Sequence, residues 1–434
     1  MPKIRLCLLA LLLVHSIANA QRSAIDTYAI TNARIVTVSG PVIERGTVVV
    51  RNGLIAAASA NVSAPPDARV IDGTGLTVYP GLIDSYTNLA LPEAAPSPSP
   101  GSGPPRPAPG PNSTEPPGLQ PEVMVEDVIR PGGNEIEASR NAGITTALTS
   151  PRSGIWMGQS ALINLAGETP QQMIVRSPVA MHVGFTPLRT GGYPGSLLGV
   201  FAALRQMMLD AQRYRDSMQI YERAPRGTRR PDTDRSLAAL VPVIEGRMPV
   251  VMLANSEREI SRALDLAEEF KLRLIIAGGR EADRVAYRLA KQKVPVLLSL
   301  DLPKRTTAAI PEADPEPLRV LRERVEAQQT AGKLAKAGVR FAFESGSLTN
   351  MSDLLTNAGK TIENGLSATD ALRAFTIWPA EILGVQNQLG SIEAGKIANL
   401  TVVRGDLFDR NGHVTQVFID GRPFDVKPAP ESKQ

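Results

Sequence analysis

The stretch Tyr79 to Leu91, YPGLIDSYTNLAL, decides how the rest of the chain is read. Its apolar residues run through Pro80-Gly81 into Leu82-Ile83, the pattern of a buried strand. Asp84, Tyr86 and Asn88 then follow at alternate positions. Residues two apart on a strand point the same way, so these three side chains are expected on one face, near the strand's end. That is where a barrel or a parallel sheet carries its chemistry.

Both ends of the chain are strand-rich. Residues 28–80 alternate short β-branched runs with turns (YAITNARIVTV, GTVVVRNGLIAAAS, ARVIDGTGLTVYPG), and Asn52-Gly53 between apolar runs predicts a hairpin. Near the C-terminus, GKIANLTVVRGD and HVTQVFIDGRPFDV flank Asn411-Gly412 in the same manner.

The middle changes rhythm. Short apolar runs precede helical stretches: GITTALTS, PVVMLANS then EREISRALDLAEEF, LRLIIAGG then READRVAYRLAKQK, VPVLLSL, and GVRFAFES. Alternating strand and helix over this length implies parallel strands with right-handed crossovers, in a closed barrel or an open doubly wound sheet. No Gly-x-Gly-x-x-Gly turn follows the first strand, which argues against a dinucleotide fold.

Two segments interrupt this rhythm. Residues 91–121 hold 12 of the chain's 36 prolines with many Gly and Ser, an extended insertion that could serve as a tether or docking arm. Residues 200–247 form a second insertion, whose apolar residues recur at helical spacing and are expected to pack against the barrel.

The first 20 residues read as a cleaved secretory signal peptide: Lys3 and Arg5, the apolar run Leu6–Val14, then Ala18-Asn19-Ala20 before Gln21. The expected location is periplasmic or extracellular. The single cysteine, Cys7, lies in this leader, so the mature chain is expected to have no disulfide, thiolate nucleophile or cysteine ligand. No later run reaches the roughly 20 apolar residues that a membrane span needs. The formal charge of +4 includes Lys3 and Arg5 and gives no reason to expect nucleic acid. The basic cluster Arg223–Arg235, broken by prolines and by Asp232 and Asp234, reads as a solvated loop.

The strand VYPGLIDSYTNL, preceded by RVIDGTGLTV, resembles the entry segment of the amidohydrolase superfamily. SATDALRAFTIWPAEILGVQNQLGSIEAGKIANLTVVRGD resembles that family's closing helices and return strand. The resemblance implies an α/β fold: a (β/α)8 TIM barrel over residues 81–385, beside a small composite β-sandwich domain built from residues 21–80 and 386–428. It also implies hydrolysis of carbon–nitrogen bonds, in non-peptide or cyclic amides. Such enzymes use zinc or another divalent metal, held by a His-x-His pair on the first strand, histidines on the fifth and sixth, and an aspartate on the eighth. The ion lowers the pKa of bound water and the carboxylate moves the proton.

Against that pattern, Tyr86 and Asn88 stand in the places of the paired histidines, and Leu253 and Gly278 in those of the fifth- and sixth-strand ligands. The aspartate position falls near Ser345 or Gly346. Only His182 and His413 remain outside the leader. A neutral amide and a phenol with pKa near 10 are poor substitutes for two imidazoles, so the expected cofactor is none.

Three residues remain as weak catalytic candidates. Asp84 reads either as a base facing into the barrel or as a structural acceptor. Glu344, ending VRFAFES, is the acid beside the missing aspartate. His182, in VAMHVGF, reads either as a mouth residue or as a hydrogen-bonded core histidine. His413 follows a turn and is expected to be exposed and inert. No Gly-x-Ser-x-Gly elbow occurs, since GSLLG at 195–199 has the wrong spacing. Gly278-Gly279 could offer amides to an anion or simply make a tight turn.

The expectation is a metal-free, exported family member with a binding or assembly role. It would hold a small polar ligand or pair with an active homologous subunit. The alternative is a hydrolase acting on carbon–nitrogen bonds through Asp84 and Glu344.

Overall fold

A computed structural model describes residues 27–92, 118–188, 193–304, 316–346, 348–409 and 411–426. The expected signal peptide, with Cys7, and most of the proline-rich insertion lie outside the described residues.

The chain opens with β1 (Thr27–Ile35), β2 (Ile43–Arg51), β3 (Leu54–Ser59), β4 (Arg69–Asp72) and β5 (Leu76–Pro80). β2 and β3 form the hairpin that Asn52-Gly53 foretold, with φ of 52° and 78° at the two turn residues. Positive φ at both centres gives a turn whose twist matches its strands, and Asn-Gly is the pair that tolerates it most readily.

Ten strands follow. They are β6 (Leu82–Thr87), β7 (Ile144–Thr149), β8 (Trp156–Gln159), β9 (Ala161–Asn164), β10 (Ile174–Arg176), β11 (Met181–Gly184), β12 (Val250–Ala254), β13 (Leu274–Gly278), β14 (Val296–Ser299) and β15 (Phe341–Glu344). From β11 to β15 each strand pairs in parallel with the next. Glu257–Phe270 and Leu318–Lys336 are among the helices that cross between them. The sequence ANSEREIS starts the first of these helices. Ser256 Oγ accepts from the Glu259 amide at 3.3 Å while Glu259 Oε2 accepts from the Ser256 amide at 3.0 Å, a reciprocal cap. Ile260, Ala263, Leu264, Ala267 and Phe270 then recur at helical spacing and are buried.

Alternation along the strands divides two apolar cores. Val250, Met252, Leu274, Ile276, Val296, Leu298, Phe341 and Phe343 face the helices. Val251, Leu253, Ile275, Ala277, Leu297 and Ala342 face inward, with Ile83, Tyr86 and Leu148. Strands apolar on both faces are those of a parallel sheet covered on both sides.

Hydrogen bonding groups these strands into two sheets, β10-β9-β7-β6 and β15-β14-β13-β12-β11-β8. β8 runs antiparallel to β11, in place of a parallel third strand. Among the described residues no backbone ladder joins β6 to β15. The Ser345 amide instead donates to Asp84 Oδ1 at 2.9 Å and the Ser85 hydroxyl to the Phe343 carbonyl at 2.6 Å. The expected parallel strands and crossovers are present in this mixed α/β fold, while continuous hydrogen bonding around a closed barrel is not.

The chain ends with β16 (Leu400–Arg404), β17 (His413–Ile419) and β18 (Arg422–Asp425). They return to the first sheet, whose order is β18-β17-β16-β5-β1-β2-β3 with β4 beside β1. β5 and β16 pair antiparallel, Pro80 opposite Leu400. Ile30, Ile35, Val48, Val78, Val402 and Phe418 form the core of this sheet. In the 200–247 insertion, helix Leu197–Arg223 buries Val200, Phe201, Leu204, Met207, Met208 and Ala211, the packing role its apolar spacing predicted.

A buried polar hub ties the C-terminal strands to the central ones. Asn399 Nδ2 lies 2.9 Å from Thr146 Oγ1 and 2.8 Å from Asn164 Oδ1, and its Oδ1 accepts from the Asp420 amide at 2.9 Å. Asn164 Nδ2 donates to Asp420 Oδ1 at 2.7 Å. Asn399→Ala strands several buried partners at once, and we expect it to cost about 2–3 kcal/mol. Urea unfolding followed by far-ultraviolet dichroism should show the lowered midpoint.

Candidate active site

The C-terminal ends of the parallel strands carry the polar residues of the inner face. On β15, Phe343 belongs to the outer core and Ala342 to the inner one, so alternation turns Glu344 inward. On β11, Met181 and Val183 pack outward, Ala180 packs inward, and His182 faces inward with it.

Glu344 is 2% exposed. Burial pushes its carboxyl up to about 8, with the neighbouring Asp84 adding to the rise; Arg152, the Gly346 amide and the Ser299 hydroxyl oppose it. Its Oε2 has no hydrogen-bond partner. The group is therefore largely protonated near neutral pH, with one oxygen unengaged.

His182 is 1% exposed, and neither ring nitrogen has a partner. Burial lowers its pKa to about 3, so the ring is neutral, with one donor and one acceptor unengaged. A core histidine is ordinarily hydrogen-bonded, and this one, though buried, has neither nitrogen engaged among the described residues. The ring lies parallel to that of Tyr86, centroids 5.5 Å apart with planes 13° from each other.

Tyr86 is buried, and burial raises its phenol pKa against the pull of Arg152. Arg152 lies over the tyrosine ring, Cζ 5.2 Å from the centroid, and Nη2 donates to the Tyr86 carbonyl at 3.4 Å. Its Nε is buried without a partner. Sequence reasoning passed over Arg152 because it sits in a loop. Its readable signal was a lone cation just beyond the end of GITTALTS.

The remaining candidates take other places. Asp84 has a carboxyl pKa raised by burial, and its Oδ1 accepts the amides of Ser345 and, at 3.4 Å, of Tyr86. Both sequence readings of Asp84 therefore keep a basis: it holds the seam between β6 and β15, and it lies close enough to raise the pKa of Glu344. Asn88 lies beyond the end of β6 and is exposed, its carbonyl accepting the Leu91 amide in a turn. The pairing of β6 with β7 shifts register between Asp84 and Thr87, so Asp84, Tyr86 and Asn88 are not a simple alternating run.

Leu253 is half-buried against the inner apolar core. Gly278 has φ of 86°, and a side chain there would collide with Asn255 Oδ1. The Gly279 amide donates to the Ala254 carbonyl at 2.9 Å, so this glycine pair makes a tight turn. Gly346, at φ 61°, lets the backbone pass Ser299 Oγ. His413 is exposed at the start of β17. Ser196 of the GSLLG stretch caps its helix by accepting the Gly199 amide at 3.2 Å.

This donor set does not fit the family's metal centre. Leu253, Gly278 and Gly346 have no side-chain ligand atom, Asn88 points to solvent, and Tyr86 holds its proton more tightly than free tyrosine. Among the described residues, no three of His, Cys, Asp and Glu come together in a metal-binding group.

The two shifted groups predict opposite pH slopes. Glu344 takes up a proton on folding wherever the unfolded carboxyl would be ionised. Its contribution is fully present below the ordinary carboxyl value of 4.5 and is lost as pH rises through the folded value of about 8. His182 must stay neutral, so its contribution is present above 6.5 and is lost as pH falls toward about 3. Glu344→Gln should therefore flatten the alkaline loss of stability and leave the acid limb, as read by urea midpoints from pH 4 to 9.

Comparison with known proteins places this geometry. The model of the Amidohydrolase family matches residues 134–424. The crystal structure of an amidohydrolase from Thermotoga maritima superposes with a TM-score of 0.77 at 25% identity, covering 92% of this chain and 100% of that one. A prolidase complexed with N-methylphosphonate-L-proline shares the fold, with a TM-score of 0.56 at 18% identity over 92% of this chain and 99% of the prolidase. A stretch of 45 residues is 49% identical to dihydropyrimidinase 1 of Caenorhabditis elegans, spanning 10% of this chain and 9% of that protein. No described helix is long and apolar enough to cross a membrane. A family match running from the helix after β6 to the last strand, with likeness in fold along nearly the whole chain, means that the protein belongs to the amidohydrolase family.

Proposed function

We propose that this protein is an exported amidohydrolase-family member that has given up the metal centre and uses the mouth of a barrel formed by its two central sheets to bind a small polar ligand. The observation that carries this reading is the convergence of unengaged polar atoms on the inner face. Glu344 Oε2 and both nitrogens of His182 are buried without partners, and so is Arg152 Nε behind the Tyr86 ring. Buried polar groups left unpaired are costly, and they persist where a ligand or ordered water completes them. Contact of β6 with β15 through Asp84 and Ser85 supports counting the two sheets as one barrel. The shared sheet of β1–β5 and β16–β18 supports a small composite domain beside it. Pairing with an active homologous subunit is the assembly role that such a site would leave open.

A second reading keeps chemistry. A carboxyl that titrates near neutrality is suited to general acid or base work, and Glu344 sits at the mouth with Asp84 nearby. In that case the chain hydrolyses carbon–nitrogen bonds without a metal.

One set of measurements separates these readings. Elemental analysis of purified protein should give well under one equivalent of any divalent ion, and hydantoins, lactams and N-acyl amino acids should raise the melting temperature without being consumed. Stoichiometric zinc with metal-dependent turnover would overturn the proposal. Turnover that survives chelation and disappears in Glu344→Gln, with ligand-induced stabilisation retained, would establish the second reading.

A further inference from the structure

A separate hollow opens at the end of the central strands opposite the mouth. Helix Asn134–Asn141 leads into the start of β7, and β9 runs antiparallel to β7, so the chain leaves β9 beside that helix. β18, at the edge of the first sheet, supplies another wall with Arg422 and Phe424. Together they enclose a cavity of about 360 Å³, within the range of small-molecule sites. The 6 residues of β7, roughly 17 Å of strand, separate it from the loop that carries Arg152.

The buried part of the lining is apolar: Ile136, Leu165, Ala166 and Met173. The charged part carries both signs. Arg140 lies over the Phe424 ring, Cζ 4.6 Å from the centroid, and its Nη1 donates to the Leu165 carbonyl at 3.3 Å, so the guanidinium is held in place. Burial pulls its pKa down and Glu137 opposes. Arg422 and Glu168 are exposed at the rim. Among the described residues, Arg140, Arg422 and Glu168 take part in no ion pair within 4 Å, although all three border one cavity. Opposite charges that border one hollow without meeting are complementary to a molecule that is itself dipolar, each pole facing its counterpart.

We propose that this cavity is a second binding site, for an apolar α-amino acid in its zwitterionic form: the carboxylate at Arg140 and Arg422, the ammonium at Glu168, and the side chain against Ile136, Leu165 and Met173. A guanidinium held flat on an aromatic ring presents a planar fork to the two oxygens of a carboxylate, and Glu168 supplies the countercharge for the ammonium. Such a ligand touches the helix before β7, the loop after β9 and β18 at once, so its binding ties the first sheet to the central strands. The site is independent of the mouth and of the ligand held there.

Calorimetric titration at pH 7 tests this with L-leucine, with 4-methylpentanoate, which lacks the ammonium, and with 3-methylbutylamine, which lacks the carboxylate. Leucine should bind at least about tenfold more tightly than either. Arg422→Ala should weaken leucine and 4-methylpentanoate about three- to fivefold and leave 3-methylbutylamine unchanged, while Glu168→Gln should weaken leucine and 3-methylbutylamine and leave 4-methylpentanoate unchanged. Both residues are exposed, so thermal unfolding midpoints without ligand should stay where they are. Ala166→Leu should fill the cavity and abolish leucine binding, whereas Glu344→Gln at the mouth should leave it intact. If Ala166→Leu does not fold, the two rim variants carry the comparison. Three results would each overturn the inference: no binding of leucine at millimolar concentration, equal binding of the three probes, or leucine binding that survives both rim variants and is lost in Glu344→Gln.

Discussion

The side chain of Asp84 holds the mouth together. Its Oδ1 takes the amide of Ser345 across the boundary between the two central sheets, and the neighbouring Ser85 hydroxyl closes on the Phe343 carbonyl. No ladder runs along this boundary in the described residues, so these bonds fix where β6 stands relative to β15. Tyr86 follows two residues after Asp84, and Glu344 immediately precedes Ser345. The relative position of the two residues that dominate the mouth is thus set by one buried carboxyl. Burial raises its pKa, while the hydrogen bonds it accepts favour its ionised form.

Around that seam the interior is apolar. Ile83, Leu148, Val251, Ile275, Leu297 and Ala342 pack together on the inner face. His182, level with Val251, and Glu344, at the end of β15, both border this apolar core. Burial is the largest cause of both shifts, in opposite senses, because low polarity disfavours the charged form whichever sign it carries; Asp84 adds to the rise at Glu344.

Much of this was legible in the sequence. LID read correctly as strand, although Gly81 divides YPGLID between β5 and β6, which belong to different sheets; the apolar run placed Glu344 at the end of another strand, and Asn52-Gly53 named its own turn. The parallel order of β11–β15 followed from strand and helix alternation. Less legible was anything set by irregular backbone. Asn88 was read as a third residue on one face, but the strand ends before it and the pairing slips between Asp84 and Thr87. Closure through side chains rather than a ladder leaves no periodic trace. Arg152 sits in a loop, where spacing carries no directional information, and only tertiary packing brings it over Tyr86. Leu253, Gly278 and Gly346 were legible in the simplest way, since a leucine and two glycines bring no side-chain ligand atom wherever they lie.

The pairing of β5 with β16 bears on when this molecule becomes itself. Pro80 finds its partner in Leu400, so the first sheet must wait, with one side of β5 unpaired, until almost all of the chain has been made. Contacts so distant in sequence form late and slowly. A nascent chain carrying β1–β5 would expose a strand edge open to promiscuous pairing for most of its synthesis. Assembly is therefore governed by the last strands to emerge, and a ribosome that stalls before β16 would release the central strands beside an incomplete first sheet.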